Sequence, residues 1–152
     1  MSKSVVVALL VLASLVGWYA FTTLPQQRDI LHALRTADAI TVTEYQRGPL
    51  EGGYEGPLTQ KTLSGEERKE LQKAFTPHGL TEKPAGEFDP HHKIECHMPD
   101  SSVIVINLCF TCNQYALANG KSIGMGPWNA SLRETLPKLG ILIRPEKYLK
   151  KS

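Results

Sequence analysis

The longest apolar run in the chain is Val5 to Phe21, seventeen residues without a charge, preceded by the amino terminus and Lys3. At 1.5 Å per residue it lies at the short end of what spans a hydrocarbon core of ~30 Å, so membrane anchor and signal peptide both compete for it. A signal cut needs small residues one and three positions before it. Ala20 has Trp18 at the minus-three position, and the Ala20-Phe21-Thr22 alternative ends in Thr. Trp18 and Tyr19 close the run as interfacial aromatic side chains do. The pattern predicts an N-terminal membrane helix over residues 1–24. A single extracytoplasmic domain over 25–152 follows, tethered by one pass through the inner (cytoplasmic) membrane, with a periplasmic or secreted product after cleavage as the alternative. Arg28 is offset by Asp29, so the charges at Lys3 and the amino terminus set the orientation.

Past the run, the hydrophobic period shifts several times. Ile30, Leu31 and Leu34 share one helical face with Arg28 and Arg35 outside it, which predicts an amphipathic helix over residues 25–36. Ala39 to Tyr45 alternates, Ile40 and Val42 against Thr41 and Thr43, as a strand with one buried face does. Ser64 and Glu67 have capping-box spacing ahead of a helix from about Gly65 to Phe75, which buries Leu71, Ala74 and Phe75 and stops at Pro77. Residues 47–57 and 76–90 are rich in Gly and Pro and are expected to be surface loops.

The second half is expected to meander. His92, Ile94, Cys96 and Met98 alternate with polar residues, Pro99 to Ser102 turns the chain, and Val103 to Phe110 is apolar on both faces, as a central strand is. Tyr115 to Ala118 and Lys121 to Ile123 flank Asn119-Gly120, the strongest hairpin signal present. A last helix is expected from Asn129 or Ser131, with Ser131 and Glu134 at capping-box spacing. Leu132, Leu136 and Leu139 form its stripe, Pro137 kinks or shortens it, and Gly140 caps it. Ile141 and Ile143 suggest one more short strand. The fold class is α+β: a mostly antiparallel sheet of about four to five strands packed with two or three helices.

A two- or four-residue loop centred on Pro99 to Ser102 sets Met98 opposite Val103 and therefore His92 opposite Cys109, on one sheet face. Cys96 then lies four rungs from Cys109, ~13 Å at ~3.3 Å per residue, beyond disulfide reach. Cys109 and Cys112 are the pair that can bridge, provided that Cys109-Phe-Thr-Cys112 bends as a β-turn. Three chemistries suit that bend. One is a structural disulfide with Cys96 as a buried free thiol. Another is thiol redox, the Cys-x-x-Cys thiolate favoured by a neighbouring His92 imidazolium. A third is a zinc or copper site on His92, Cys109 and Cys112. A thioredoxin arrangement is disfavoured because Asn119-Gly120 leaves no room for a long helix after the pair, and haem attachment because Asn113 stands where the axial His belongs.

Composition narrows the field. Setting Lys3 aside leaves sixteen Lys and Arg against fifteen Asp and Glu, a balance that implies no nucleic-acid partner. His32 and His78 are expected on the surface, and the basic tail from Lys138 through Lys151 is expected to be solvated. Asn129-Ala-Ser131 matches a glycosylation sequon. No Ser-His-Asp order, phosphate-binding glycine loop or isolated carboxylate pair gives an enzyme positive support.

Phe88-Asp-Pro-His-His92 and Ile106 to Gln114 resemble a group of small exported bacterial domains marked by Pro-x-His on one strand and Cys-Phe-x-Cys closing the next. That resemblance implies a bacterial source and keeps Pro90, His92, Cys109, Phe110 and Cys112 as one local unit, with His91 a supporting candidate beside it. It carries no activity. Members often have a cysteine just before Pro-x-His, where this chain has Glu87 and Phe88. The expected function is a membrane-tethered envelope protein, a binding or structural module for an envelope protein or small ligand, needing no cofactor. A thiol redox or zinc/copper site is the alternative.

Overall fold

A computed structural model describes residues 5, 7, 26–45, 56–75, 84–118, 122–126 and 128–143. Its elements run α1 (residues 26–36), β1 (Ala39–Tyr45), β2 (Pro57–Thr62), α2 (Gly65–Ala74), β3 (His92–His97), β4 (Val103–Cys109), β5 (Gln114–Leu117), β6 (Ile123–Gly124) and α3 (Trp128–Lys138). The six strands form one sheet in the order β2-β1-β3-β4-β5-β6, every neighbouring pair antiparallel. Because β2 and β3 flank β1, the connection carrying α2 must cross β1; the other strands follow one another as a meander.

Alternation along the strands sorts the side chains. Ile40, Val42, Ile94, Cys96, Ile106, Leu108 and Tyr115 point to the helix side and are completely buried with Ile30, Leu34, Leu71, Leu132 and Leu136. Each such burial is worth about 1.5–3 kcal/mol, which is what holds helices to sheet. The other face carries Thr41, Thr43, Lys93, Glu95 and Asn107. Side chains of α2 also finish α1: Gln72 Nε2 donates to Leu34 O at 2.7 Å, and the Arg68 guanidinium to the carbonyls of Ala37 and Asp38. Carbonyls at the end of α1, which lack helical partners, are satisfied this way.

No helix among the described residues is long and apolar enough to cross a membrane. This overturns the N-terminal membrane helix in the expected fold class. Of residues 1–24 only Val5 and Val7 are described, both exposed, and the three helices above are amphipathic elements with one buried face. The sheet has six strands instead of four to five, since β2 begins at Pro57, inside what was expected to be loop. α3 starts at Trp128, so Ser131 lies within the helix and caps nothing. Pro137 is accommodated one residue before its end. There Ile141 N–H bonds to Leu136 O and Gly140 N–H to Pro137 O, a Schellman closure with Gly140 at φ 83°. Residues 141–143 form no strand. His78, Asn119-Gly120 and the tail beyond residue 143 fall outside the described residues.

Candidate functional site

The β3–β4 turn decides what meets what. His97 pairs with Val103, Met98 N–H bonds to Ser102 O, and Ser101 N–H bonds to Met98 O, leaving a three-residue loop with Ser101 at φ 67°. A turn followed by a left-handed residue is the usual three-residue hairpin closure. It shifts the register by one from the expected pairing. His92 therefore faces Leu108, not Cys109. A one-residue slip moves a side chain to the other face of the sheet, so Cys109 turns away from His92.

The sulfur pair itself is as the spacing predicted. Cys109 and Cys112 are joined by a disulfide with Cα atoms 5.5 Å apart, across a bend between β4 and β5. Cys112 N–H donates to Cys109 Sγ at 3.2 Å, and Asn113 supplies the left-handed turn residue at φ 54° that lets Cys109 pair with Gln114. Both sulfur residues are buried, at 1% and 4% exposure. Cys96 is a free, fully buried thiol on the helix side, and burial pushes its pKa up to about 12. Among the described residues no group of three or more His, Cys, Asp and Glu could hold a metal ion, so His92, Cys109 and Cys112 are not brought together as a ligand set.

What the bend does bring together is a cleft. Phe110 and Thr111, the two residues between the cysteines, form one wall of a small concavity at the end of the sheet. Glu44 and Tyr45 from the end of β1, His91 and His92 from the start of β3, and Ile143 from the segment after α3 complete it. A β-bulge where Glu44 and Tyr45 meet β2 marks the same end of the sheet. The ring of Phe110 stands edge-on to that of His92 at 5.0 Å between centroids. Arg133 of α3 fixes this wall from behind: its Nη2 donates to Phe110 O at 2.8 Å, its Nε to Asn129 Oδ1 at 3.1 Å, and its charge lies 5.5 Å from the Phe110 ring.

Two imidazoles enter the cleft with different surroundings. His91 Nε2 lies 3.2 Å from Asp89 Oδ2. His92 Nε2 lies 2.9 Å from Leu142 O, and since a carbonyl only accepts, that nitrogen carries the proton. Burial, first of all, lowers the His92 pKa from 6.5 to about 4, with the charges of His91 and Arg133 adding to it and the Leu142 bond opposing it. The ring is thus neutral at pH 7. Nδ1 keeps its lone pair, buried and with no hydrogen-bond partner among the described residues. Directly opposite on β1, and on the same sheet face, is Glu44, only 1% exposed. The buried Pro90 leads the chain into this corner.

Sequence reasoning picked out His91, His92, Phe110 and the cysteines but missed Glu44, Tyr45, Thr111, Arg133 and Ile143. Glu44 had left a signal: it continues the inward register of Ile40 and Val42, where a carboxylate needs a reason. A second, more open groove between α1 and α2 holds Arg35, Lys69 and Lys73. The two lysines are engaged by Glu66 and Glu70 at 2.7 and 2.6 Å, as a solvated helix surface is. Comparison with family models, with curated proteins and with solved structures finds no match to this chain.

Proposed function

We propose that this domain is a binding module working in an oxidising compartment, and that the Cys109–Cys112 bridge is structural. One observation carries this: the bridge closes a loop whose two inner residues, Phe110 and Thr111, are a wall of the cleft, while both sulfurs are buried. A bond that returns only about 2 kcal/mol from loop-closure entropy is poorly suited to holding a whole domain. It suits holding one wall in place. A redox role has one supporting feature, the Cys112 N–H on Cys109 Sγ, which would stabilise a thiolate after reduction. Against it stand the burial of both sulfurs and the immediate return of the chain into β5.

Thiol counting on the native and denatured protein, with and without reductant, separates the two. A structural bridge predicts no reactive thiol in the native protein and one, Cys96, after denaturation. It predicts three after denaturation with reductant, and no reduction of the native pair by glutathione buffers poised above about −300 mV. Native-state reduction by such buffers, with the fold intact, would replace the structural role with a redox one.

A further inference from the structure

We propose that the groove between α1 and α2 binds a small phosphate monoester, its dianionic head held by Arg35, Lys69 and Lys73. The site is separate from the disulfide-walled cleft and stands whether that bridge is structural or redox-active. Charge sets the sign of the ligand. Leu31, Leu34 and Arg35 of α1 and Lys69, Gln72 and Lys73 of α2 line the groove, a set with three cations and no carboxylate. Arg35 is exposed, and no carboxylate among the described residues pairs with it.

The groove is built by contacts that need no ligand. Gln72 Nε2 donates to Leu34 O at 2.7 Å, and the Arg68 guanidinium donates to the carbonyls of Ala37 and Asp38, so α2 is fixed against the end of α1. Between the helices lies a space of about 300 Å³, the lower end of what small-molecule sites enclose. Leu34, fully buried, and Leu31, packed against the core, give it an apolar floor under the cations.

Competition selects phosphate over carboxylate. Lys69 and Lys73 hold the carboxylates of Glu66 and Glu70 at 2.7 and 2.6 Å, with the two lysine side chains 64% and 72% exposed. Pairs so open to water are worth little and are readily exchanged. A carboxylate ligand brings only the single charge that these tethered groups already supply, and gains nothing over them. A phosphate monoester carries close to two charges at neutral pH and three acceptor oxygens, enough to engage more than one cation. The Arg35 guanidinium offers a planar fork that takes two such oxygens side by side. The ester carbons then rest on the Leu31 and Leu34 floor.

The test titrates the full ¹⁵N-labelled chain at pH 7.5 and constant ionic strength with phenyl phosphate, inorganic phosphate and benzoate, following the Arg35 Nε–H and the amides of Leu31, Lys69 and Lys73. Phenyl phosphate should give saturable shifts at all four residues and bind more tightly than inorganic phosphate, which lacks the apolar part. Benzoate, with the same ring and one charge, should not saturate. Arg35→Gln should weaken phenyl phosphate at least roughly tenfold, the scale of one charge-assisted contact. Glu66→Gln with Glu70→Gln should tighten it roughly threefold by releasing both lysines. All three positions are exposed, so the variants keep the fold.

No saturable shift from phenyl phosphate, equal binding of benzoate, or an affinity unchanged in Arg35→Gln would overturn the proposal. Inorganic phosphate binding as tightly as phenyl phosphate would overturn the ester, and a blocked phosphoserine tripeptide binding more tightly would replace the small ligand with a phosphorylated protein. The thiol count is read independently of all these arms, so failure of the structural-bridge role shows there and not here.

Discussion

At the scale of single residues, His92 is where the chemistry of the fold is most exposed to test. Its neutral ring is enforced by burial, and the groups around it are Glu44 on β1, His91 beside it, Arg133 on α3 and the Leu142 carbonyl. The folded pKa, about 4, lies below the ordinary 6.5, so between those values the unfolded chain binds more protons than the folded one. Stability must therefore fall as pH drops from about 6.5 to about 4, by up to about 3 kcal/mol from this group alone. Denaturant unfolding at pH 7.5, 6, 5 and 4 should show that slope, and His92→Leu should flatten it while lowering stability at pH 7.5. An unchanged slope in the variant would mean that the imidazole is not held neutral by its site.

At the scale of elements, what was legible in the sequence is what local physics dictates. β1 was read with its full span because β-branched residues alternate there, and α2 because its capping box is local. Ser64 accepts from Glu67 N–H, and Glu67 reaches back to Ser64 N–H at 2.9 Å. The same carboxylate is gripped by Lys61 at 2.5 Å, and Lys61 also donates to Leu139 O at 3.0 Å, so one strand lysine ties the start of α2 to the end of α3. Those hydrogen bonds, Lys61 first, hold the Glu67 carboxyl at about 2, below its ordinary 4.5. Its contribution is therefore complete above pH 4.5 and lost as pH falls toward 2. Glu67→Gln should remove that part of the acid sensitivity, leaving the His92 slope at higher pH untouched, and Ser64→Ala should cost about 1 kcal/mol at neutral pH. Circular dichroism of α2-dependent unfolding at pH 7 and pH 3 checks both. What was not legible depended on partners. β2 is an edge strand of mostly polar residues with no apolar alternation to betray it, and it exists because β1 offers a free edge. The β3–β4 register turned on a three-residue loop with left-handed Ser101, a conformation that Pro99-Asp-Ser-Ser102 does not announce as Asn-Gly would.

At the scale of the whole molecule, the sheet and the cleft wall are held by different means and should come apart under one substitution. The sheet rests on five antiparallel ladders and a core shared by three helices; the disulfide lies outside that core and enters the ladders only at the last β4–β5 rung, Cys109 with Gln114. The Cys109–Cys112 loop instead is held by its bridge and by Arg133 on Phe110 O. The 84–90 segment adds a third hold: Ala85 N–H bonds to Cys112 O at 2.9 Å and Gln114 Nε2 to Gly86 O at 3.1 Å. The same segment lies so close to β6 that a Cβ on Gly124 would meet Pro84 Cγ at 2.7 Å, which is why a glycine suits that strand. Cys109→Ala with Cys112→Ala should therefore cost about 2 kcal/mol of global stability, the loop-closure scale for so short a ring. Native hydrogen exchange should lose its protection first at Cys112→Ala, Ala85 and Gln114, while amides pairing β1 with β3 keep theirs down to the global limit. The His92 ring signal should shift as Phe110 loosens against it. A domain that instead fails to fold without the bridge, or one whose β1 and β3 amides open together with the loop, would show that the sulfur pair holds the sheet itself and that the cleft is a by-product of it.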